Sequence, residues 1–148
     1  MNALALAGYV VNYCLFKGQP TTNLRLQKIL YFLQIQSLID SKLNSKLIDS
    51  DFEAWKFGPV IRDVYYAYCL NAAMPILTPA QGIATDIQVP DYVNKCIDKA
   101  LTMQPWELVE KSHRKGGAWE RCYVEKANNI IPIDLIKLEA SQLAEALS

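Results

Sequence analysis

Apolar residues recur at helical spacing in two segments near the start of the chain. In residues 3–16 they form one stripe, which Gly18 ends. Residues 21–23 then offer capping side chains before a second stripe, formed by Leu26, Ile29, Leu30 and Leu33. The pattern predicts two consecutive helices. Several polar side chains of the second helix lie largely off its apolar stripe and are predicted to be open to solvent or to a partner: Arg25, Gln27, Lys28 and Gln34.

The pattern changes in residues 51–68, which read DFEAWKFGPVIRDVYYAY. Alternation in the first half predicts an extended segment that carries three residues on one side: Glu53, Trp55 and Phe57. Gly58 permits a turn, and Pro59 is suited to the first position of a helix through residues 60–74. Two aromatic side chains would then anchor the extended segment against the core, and Lys56 would face outward.

Residues 75–90 contain three prolines and little helical pattern, so they are predicted to form a long connector. Helical spacing returns in residues 91–103, in residues 105–113 and from about Pro132 onward, and the pair Gly116-Gly117 interrupts it. The fold class predicted is mainly α: a single domain over residues 1–148 with about six or seven helices. At most a small β element is expected, from the regions around residues 46–57 and 81–89.

The charge balance is even, with 15 basic and 15 acidic side chains. An even balance removes the usual electrostatic argument for a nucleic-acid partner. The apolar start of the chain lacks a basic leader region and is shorter than the roughly 20 residues that cross a bilayer. We therefore expect a cytoplasmic protein with no membrane partner.

Residues that could carry catalysis or bind a metal are scattered along the chain. The four cysteines form no C-x-x-C pair, His113 is the one histidine, and no glycine-rich phosphate loop is present. A pairing of His113 with a cysteine, or of Asp49 with Asp51, would need the fold to assemble it. We expect free thiols, no metal, no cofactor and no catalytic residue.

Three blocks of the sequence, in this order, resemble one family. They are LQKILYFLQ (residues 26–34), FEAWKFGPVIRDVY (residues 52–65) and PWELVEKSHRKGGAW (residues 105–119). Together they are similar to the Panacea domain, also called the SocA-like or GepA-like phage-associated domain. The third block departs from the family pattern of Thr-His, an acidic residue and Pro-Trp: here Ser112 precedes His113, Lys115 stands near the usual acid, and Ala118 precedes Trp119.

The resemblance implies a mainly helical antitoxin, encoded beside a toxin gene in a bacterium or prophage, that neutralises a cognate protein toxin by direct contact. It also implies, from at least one relative, an adaptor role that presents the toxin to a bacterial protease. A homo-oligomer is compatible with it, and neither activity is catalytic. A DNA-binding phage regulatory protein is the alternative function, and an enzyme of unknown class is the third.

Two regions hold the candidate partner-binding residues. The first contains Lys56 and Arg62, and the second is the polar loop with His113, Arg114, Lys115 and Trp119. Arginine and tryptophan often dominate binding energy at interfaces, and a cationic loop suits an acidic partner. The structural interpretation assigns Trp119 to the core and gives His113 a capping or hydrogen-bonding role. In the first region the structural motif comprises Trp55, Phe57, Gly58, Pro59 and Tyr65.

Overall fold

A computed structural model describes residues 1–40, 45–82 and 87–147 of the chain. Within these ranges the helices are α1 (Ala3–Phe16), α2 (Asn23–Ile39), α3 (Arg62–Tyr68), α4 (Asp91–Leu101), α5 (Pro105–Ser112), α6 (Ala118–Cys122) and α7 (Ile133–Leu147). A turn of 3-10 helix, Cys69–Asn71, continues α3. The mainly α prediction is confirmed.

Three short strands form a small antiparallel sheet in the order β2–β1–β3: β1 (Phe52–Trp55), β2 (Gly58–Val60) and β3 (Ile130–Ile131). The first two strands make a hairpin. Strand β1 lies in the region expected near residues 46–57, whereas β2 comes from residues that were predicted to start a helix. The third comes from residues after α6 and not from the region around residues 81–89. Residues 75–82 and 87–90 form a connector without regular elements, and residues 83–86 of that prediction lie outside the described ranges.

Helix α2 lies at the centre of the fold, with α1, α3, α4, α5, α7 and the hairpin packed around it. Its polar residues were predicted to be open, and for three of them this is wrong: Gln27, Lys28 and Gln34 are buried. The reason is that neighbouring elements cover the faces of α2 that carry these three residues. Their side chains are hydrogen-bonded to backbone groups of strand β2 and of the segments beside the hairpin, which a core otherwise leaves unpaired.

Two glutamines of α2 show this arrangement. Gln34 Oε1 accepts hydrogen bonds from the backbone N–H groups of Leu47 and Ile48, both at 2.9 Å. Gln27 Oε1 accepts one from the N–H of Ile61 at 2.9 Å. The segments before β1 and after β2 are therefore fastened to the central helix by its side chains.

The hairpin faces the core with residues other than those predicted. Phe52 and Ala54 are buried, whereas Trp55 is half-buried and Phe57 is 48% exposed. The predicted alternation is wrong for Phe57 because β1 ends at Trp55 and Phe57 belongs to the turn. Pro59 also does not start a helix. It lies in β2 opposite Ala54, on a sheet edge where its missing N–H is tolerated, and α3 begins only at Arg62.

The sequence also led to predictions about the cysteines and about membrane-spanning helices. The cysteines are present as free thiols, and burial raises the pKa of both Cys14 and Cys96 to about 11. Among the described residues, no helix combines the length and the hydropathy that a bilayer crossing needs.

Candidate functional site

A buried lysine joins α2 to the hairpin. The side chain of Lys28 is fully buried, and its Nζ donates a hydrogen bond to the carbonyl oxygen of Pro59 at 2.8 Å. Burial lowers the pKa of Lys28 to about 7, because the interior solvates an ammonium poorly. Lys28 thus fixes β2 against α2, and its amine releases its proton at a lower pH than a solvated lysine does.

Gly58 is the point of closest approach between the hairpin and the helices beneath it. Its φ of +116° is rarely adopted by residues with a side chain. A Cβ placed there would lie 2.6 Å from Ser112 Oγ and 2.7 Å from Lys28 Cε. Glycine is therefore required for the backbone of β2 to pass over α2 and the end of α5.

Aromatic rings link the loop after α5 (residues 113–117) and the helix α6 that follows it to the hairpin. The rings of His113 and Trp119 stack at 3.6 Å between centroids with 4° between their planes, and Tyr123 stacks on the far side at 4.6 Å. The indole N–H of Trp119 donates to the carbonyl oxygen of Trp55 at 2.7 Å. Burial and the nearby charge of Lys28 lower the pKa of His113, which favours a neutral imidazole in the stack.

A buried carboxylate holds the other end of this loop. Glu139 of α7 is 3% exposed and accepts hydrogen bonds from the Tyr31 hydroxyl and from the backbone N–H of Ala118 at 3.4 Å. Its second oxygen lies 3.8 Å from Nη1 of Arg114. A Cβ on Gly117 would lie 2.6 Å from the same carboxylate, so a glycine is needed where the loop crosses α7.

Three cations are exposed on the hairpin, on the loop after α5 and at the start of α3. Lys56 lies over the ring of Phe57, with 5.4 Å from Nζ to the centroid. Arg62 donates two hydrogen bonds to Glu53, at 2.8 and 2.9 Å, and this pairing lowers the pKa of Glu53. Lys115 is exposed at the tip of the loop. Of these, Lys56 and Lys115 take part in no ion pair within the described part of the chain.

A pocket of about 310 Å³ opens beside the hairpin, between the start of α2 and the end of α3. Its walls are mainly apolar, from Leu24, Trp55, Phe57, Val60, Tyr65, Cys69, Ala72 and Ala73, with Asn23, Gln27, Lys28 and Lys56 as polar lining. No group of three or more metal-ligating side chains is found in the described ranges.

Comparison with known proteins gives the family. Residues 26–120 match the model of the antitoxin SocA-like Panacea domain. The chain belongs to this Panacea family. It is also similar to Antitoxin SocA from Caulobacter vibrioides (strain NA1000 / CB15N), with 31% identity over 132 residues, which cover 81% of this chain and 69% of that protein. No solved structure matches the chain.

Lys28, the hairpin and the loop up to Trp119 all lie within the matched Panacea segment. The three sequence blocks that carry the resemblance meet in space: Lys28 comes from the first, Gly58 and Pro59 from the second, and Ser112 and His113 from the third. The motif residues therefore form one packed junction. Glu139 lies beyond residue 120, outside the matched segment.

The predicted partner-binding residues of this Panacea domain differ in accessibility. Lys56, Arg62 and Lys115 are exposed, His113 and Arg114 are partly buried, and Trp119 is 8% exposed. Trp119 thus occupies the position that the structural interpretation gave it, and its ring is not free to insert into a partner.

Sequence reasoning did not identify Lys28, Glu139 or the pocket. One feature of the sequence could have indicated that Lys28 is buried. It lies in the first family block, on a helix whose apolar stripe is wider than the stripe of a helix that packs through one face. Glu139 had none, because a glutamate in the last helix is ordinarily a solvated charge.

Proposed function

We propose that this Panacea domain is an antitoxin that neutralises a cognate protein toxin by direct, non-catalytic binding in the cytoplasm. The observation that carries the proposal is family membership over residues 26–120, together with the similarity to Antitoxin SocA. The match favours this function over the DNA-binding phage regulator and the enzyme considered from the sequence.

The binding surface proposed is formed by the hairpin turn and the loop after α5. These segments adjoin, because Trp119, just after the loop, donates to Trp55 of β1, and Gly58 of β2 lies close to Ser112, just before the loop. The exposed cations on and beside these segments, Lys56, Arg62 and Lys115, suit an acidic toxin surface. Rigid support by the stacked rings and by Glu139 would lower the entropy that the loop loses on binding.

The structure decides which substitutions test this surface cleanly. Arg62 is bonded to Glu53, and Arg114 lies near the buried Glu139, so reversing either charge would also place two carboxylates together. Lys56→Glu and Lys115→Glu avoid that problem. We expect the double variant to melt at the parent's temperature yet to bind the toxin at least about tenfold more weakly.

The measurement combines calorimetric titration with the purified product of the adjacent gene and growth during co-expression of the two proteins. Lys95→Glu, an exposed charge reversal on α4, is the matched control and should behave as the parent does. Equal affinity of the parent and the double variant would show that this surface is wrong. A neighbouring product that is neither toxic nor bound by the parent would remove the antitoxin function itself.

A further inference from the structure

The pocket beside the hairpin has polar residues in its lining whose hydrogen bonds are already made within the protein. Asn23 Nδ2 donates to the carbonyl oxygen of Tyr65 at 3.1 Å, and Gln27 Nε2 donates to Asn23 Oδ1 at 3.1 Å. Gln27 Oε1 is used by the N–H of Ile61, and the Lys28 amine is bonded to Pro59. A polar small molecule would therefore find few free partners in the lining, whereas an apolar group loses nothing by entering.

Apolar side chains are also exposed around this pocket. Leu24 and Phe57 in its walls are 36% and 48% exposed. The segment that supplies Tyr65, Cys69, Ala72 and Ala73 to the lining also carries large apolar side chains that are exposed outside the lining: Tyr66, Leu70 and Met74. Exposed apolar side chains in the wall of a concavity, such as Leu24 and Phe57, are typical of a protein-binding site.

One free charge stands at the pocket. Lys56 lines it, is exposed, and has no ion-pair partner among the described residues. Lys56 also belongs to the proposed toxin-binding surface, so the pocket is continuous with that surface. A ligand segment that combines an apolar group with a neighbouring carboxylate would satisfy both features.

We propose that this pocket is the anchor site of the antitoxin and that it receives a large apolar side chain of the toxin, flanked by a carboxylate that pairs with Lys56. This inference rests on the proposed function. In such an anchor the buried apolar side chain supplies most of the binding energy, and the rim charge orients the partner.

The test is a matched pair of leucine substitutions. Leu24→Glu places a charge in the pocket wall, in the first turn of α2, where the helix dipole stabilises a carboxylate, so we expect the variant to fold. Leu138→Glu is the control, because Leu138 is 41% exposed on α7 and lies outside the pocket. We expect the dissociation constant for the purified adjacent-gene product to rise at least about tenfold for Leu24→Glu and less than about twofold for Leu138→Glu.

A second measurement needs no substitution. Cys69 lines the pocket, so bound toxin should slow its labelling by iodoacetamide, measured by mass spectrometry of the peptide that contains it. Unchanged labelling of Cys69 in the complex, or equal affinity of Leu24→Glu and the parent, overturns the anchor site while the antitoxin function stands. Absence of any binding by the parent overturns both proposals.

Discussion

Lys28 is a charged residue that the fold surrounds completely, and its protonation links stability to pH. Below about pH 7 the amine is protonated in the folded and the unfolded chain, and the full cost of burying the charge is present. Between about pH 7 and the ordinary lysine pKa of 10.5, the unfolded chain keeps the proton and the folded chain releases it. The free energy of unfolding should therefore rise with pH across this window.

We predict that the contribution of Lys28 to the free energy of unfolding increases by about 1 kcal/mol between pH 7.0 and 8.0, a range that lies below the ordinary pKa values of cysteine and tyrosine. Urea unfolding at both pH values measures it. Lys28→Met, which keeps an unbranched apolar stem, should lose this rise, and Lys95→Met on the surface should keep it. If Lys28→Met follows the parent's pH dependence, the buried amine does not titrate as described.

At the scale of elements, the sequence predicts a helix correctly where one apolar face, or one residue that starts or ends a helix, is enough to determine it. The bounds of α1 and the starts of α5 and α7 follow from stripes, prolines and glycines that act locally. The hairpin shows the limit of local patterns. Pro59 suits a helix start and an edge strand equally well, and the choice depends on Lys28 and Ser112, which are remote in sequence.

The candidate site was predictable to a similar extent. The family blocks contain the residues of the hairpin and the loop, although a helix was predicted where β2 lies, and Lys56, Arg62 and Lys115 are exposed as expected. The pocket could not be predicted, because its walls come from α2, the hairpin turn and the 3-10 turn, which only the tertiary packing brings together.

The hairpin's contact with α2 and α5 depends on one glycine. We predict that Gly58→Ala lowers the free energy of unfolding by about 2–4 kcal/mol, from the left-handed φ together with the overlap of Cβ with Ser112 and Lys28. Gly18→Ala is the control, because Gly18 also has a positive φ but has no atom within 4 Å of the added Cβ. Gly18→Ala should lower the free energy of unfolding by only about 1 kcal/mol. Equal losses in urea unfolding would show that the close approach at Gly58 adds nothing to the backbone strain.

At the scale of the whole molecule, stability should be graded outward from α2. Most of helix α2 is buried, and its glutamines and lysine fasten the hairpin and loops. The residues from the 3-10 turn to Met74 are largely exposed, and three of them, Cys69, Ala72 and Ala73, line the proposed anchor pocket. Segments with few buried contacts open locally at a lower free energy than a buried central helix.

We predict that the slowest amides of α2 exchange hydrogen only through global unfolding, with an opening free energy within about 1 kcal/mol of that measured by urea. Amides of residues 69–74 should exchange through local openings that urea barely affects, because few buried contacts hold them. Native-state hydrogen exchange followed by NMR at several low urea concentrations separates the two classes. The first amides of α4, which lack an acceptor within the helix, provide the reference for fast exchange outside the proposed surface. If α2 opens at a lower free energy than α7, the central helix is not the last element to unfold, and the support it gives the binding surface has to come from α7 and Glu139 instead.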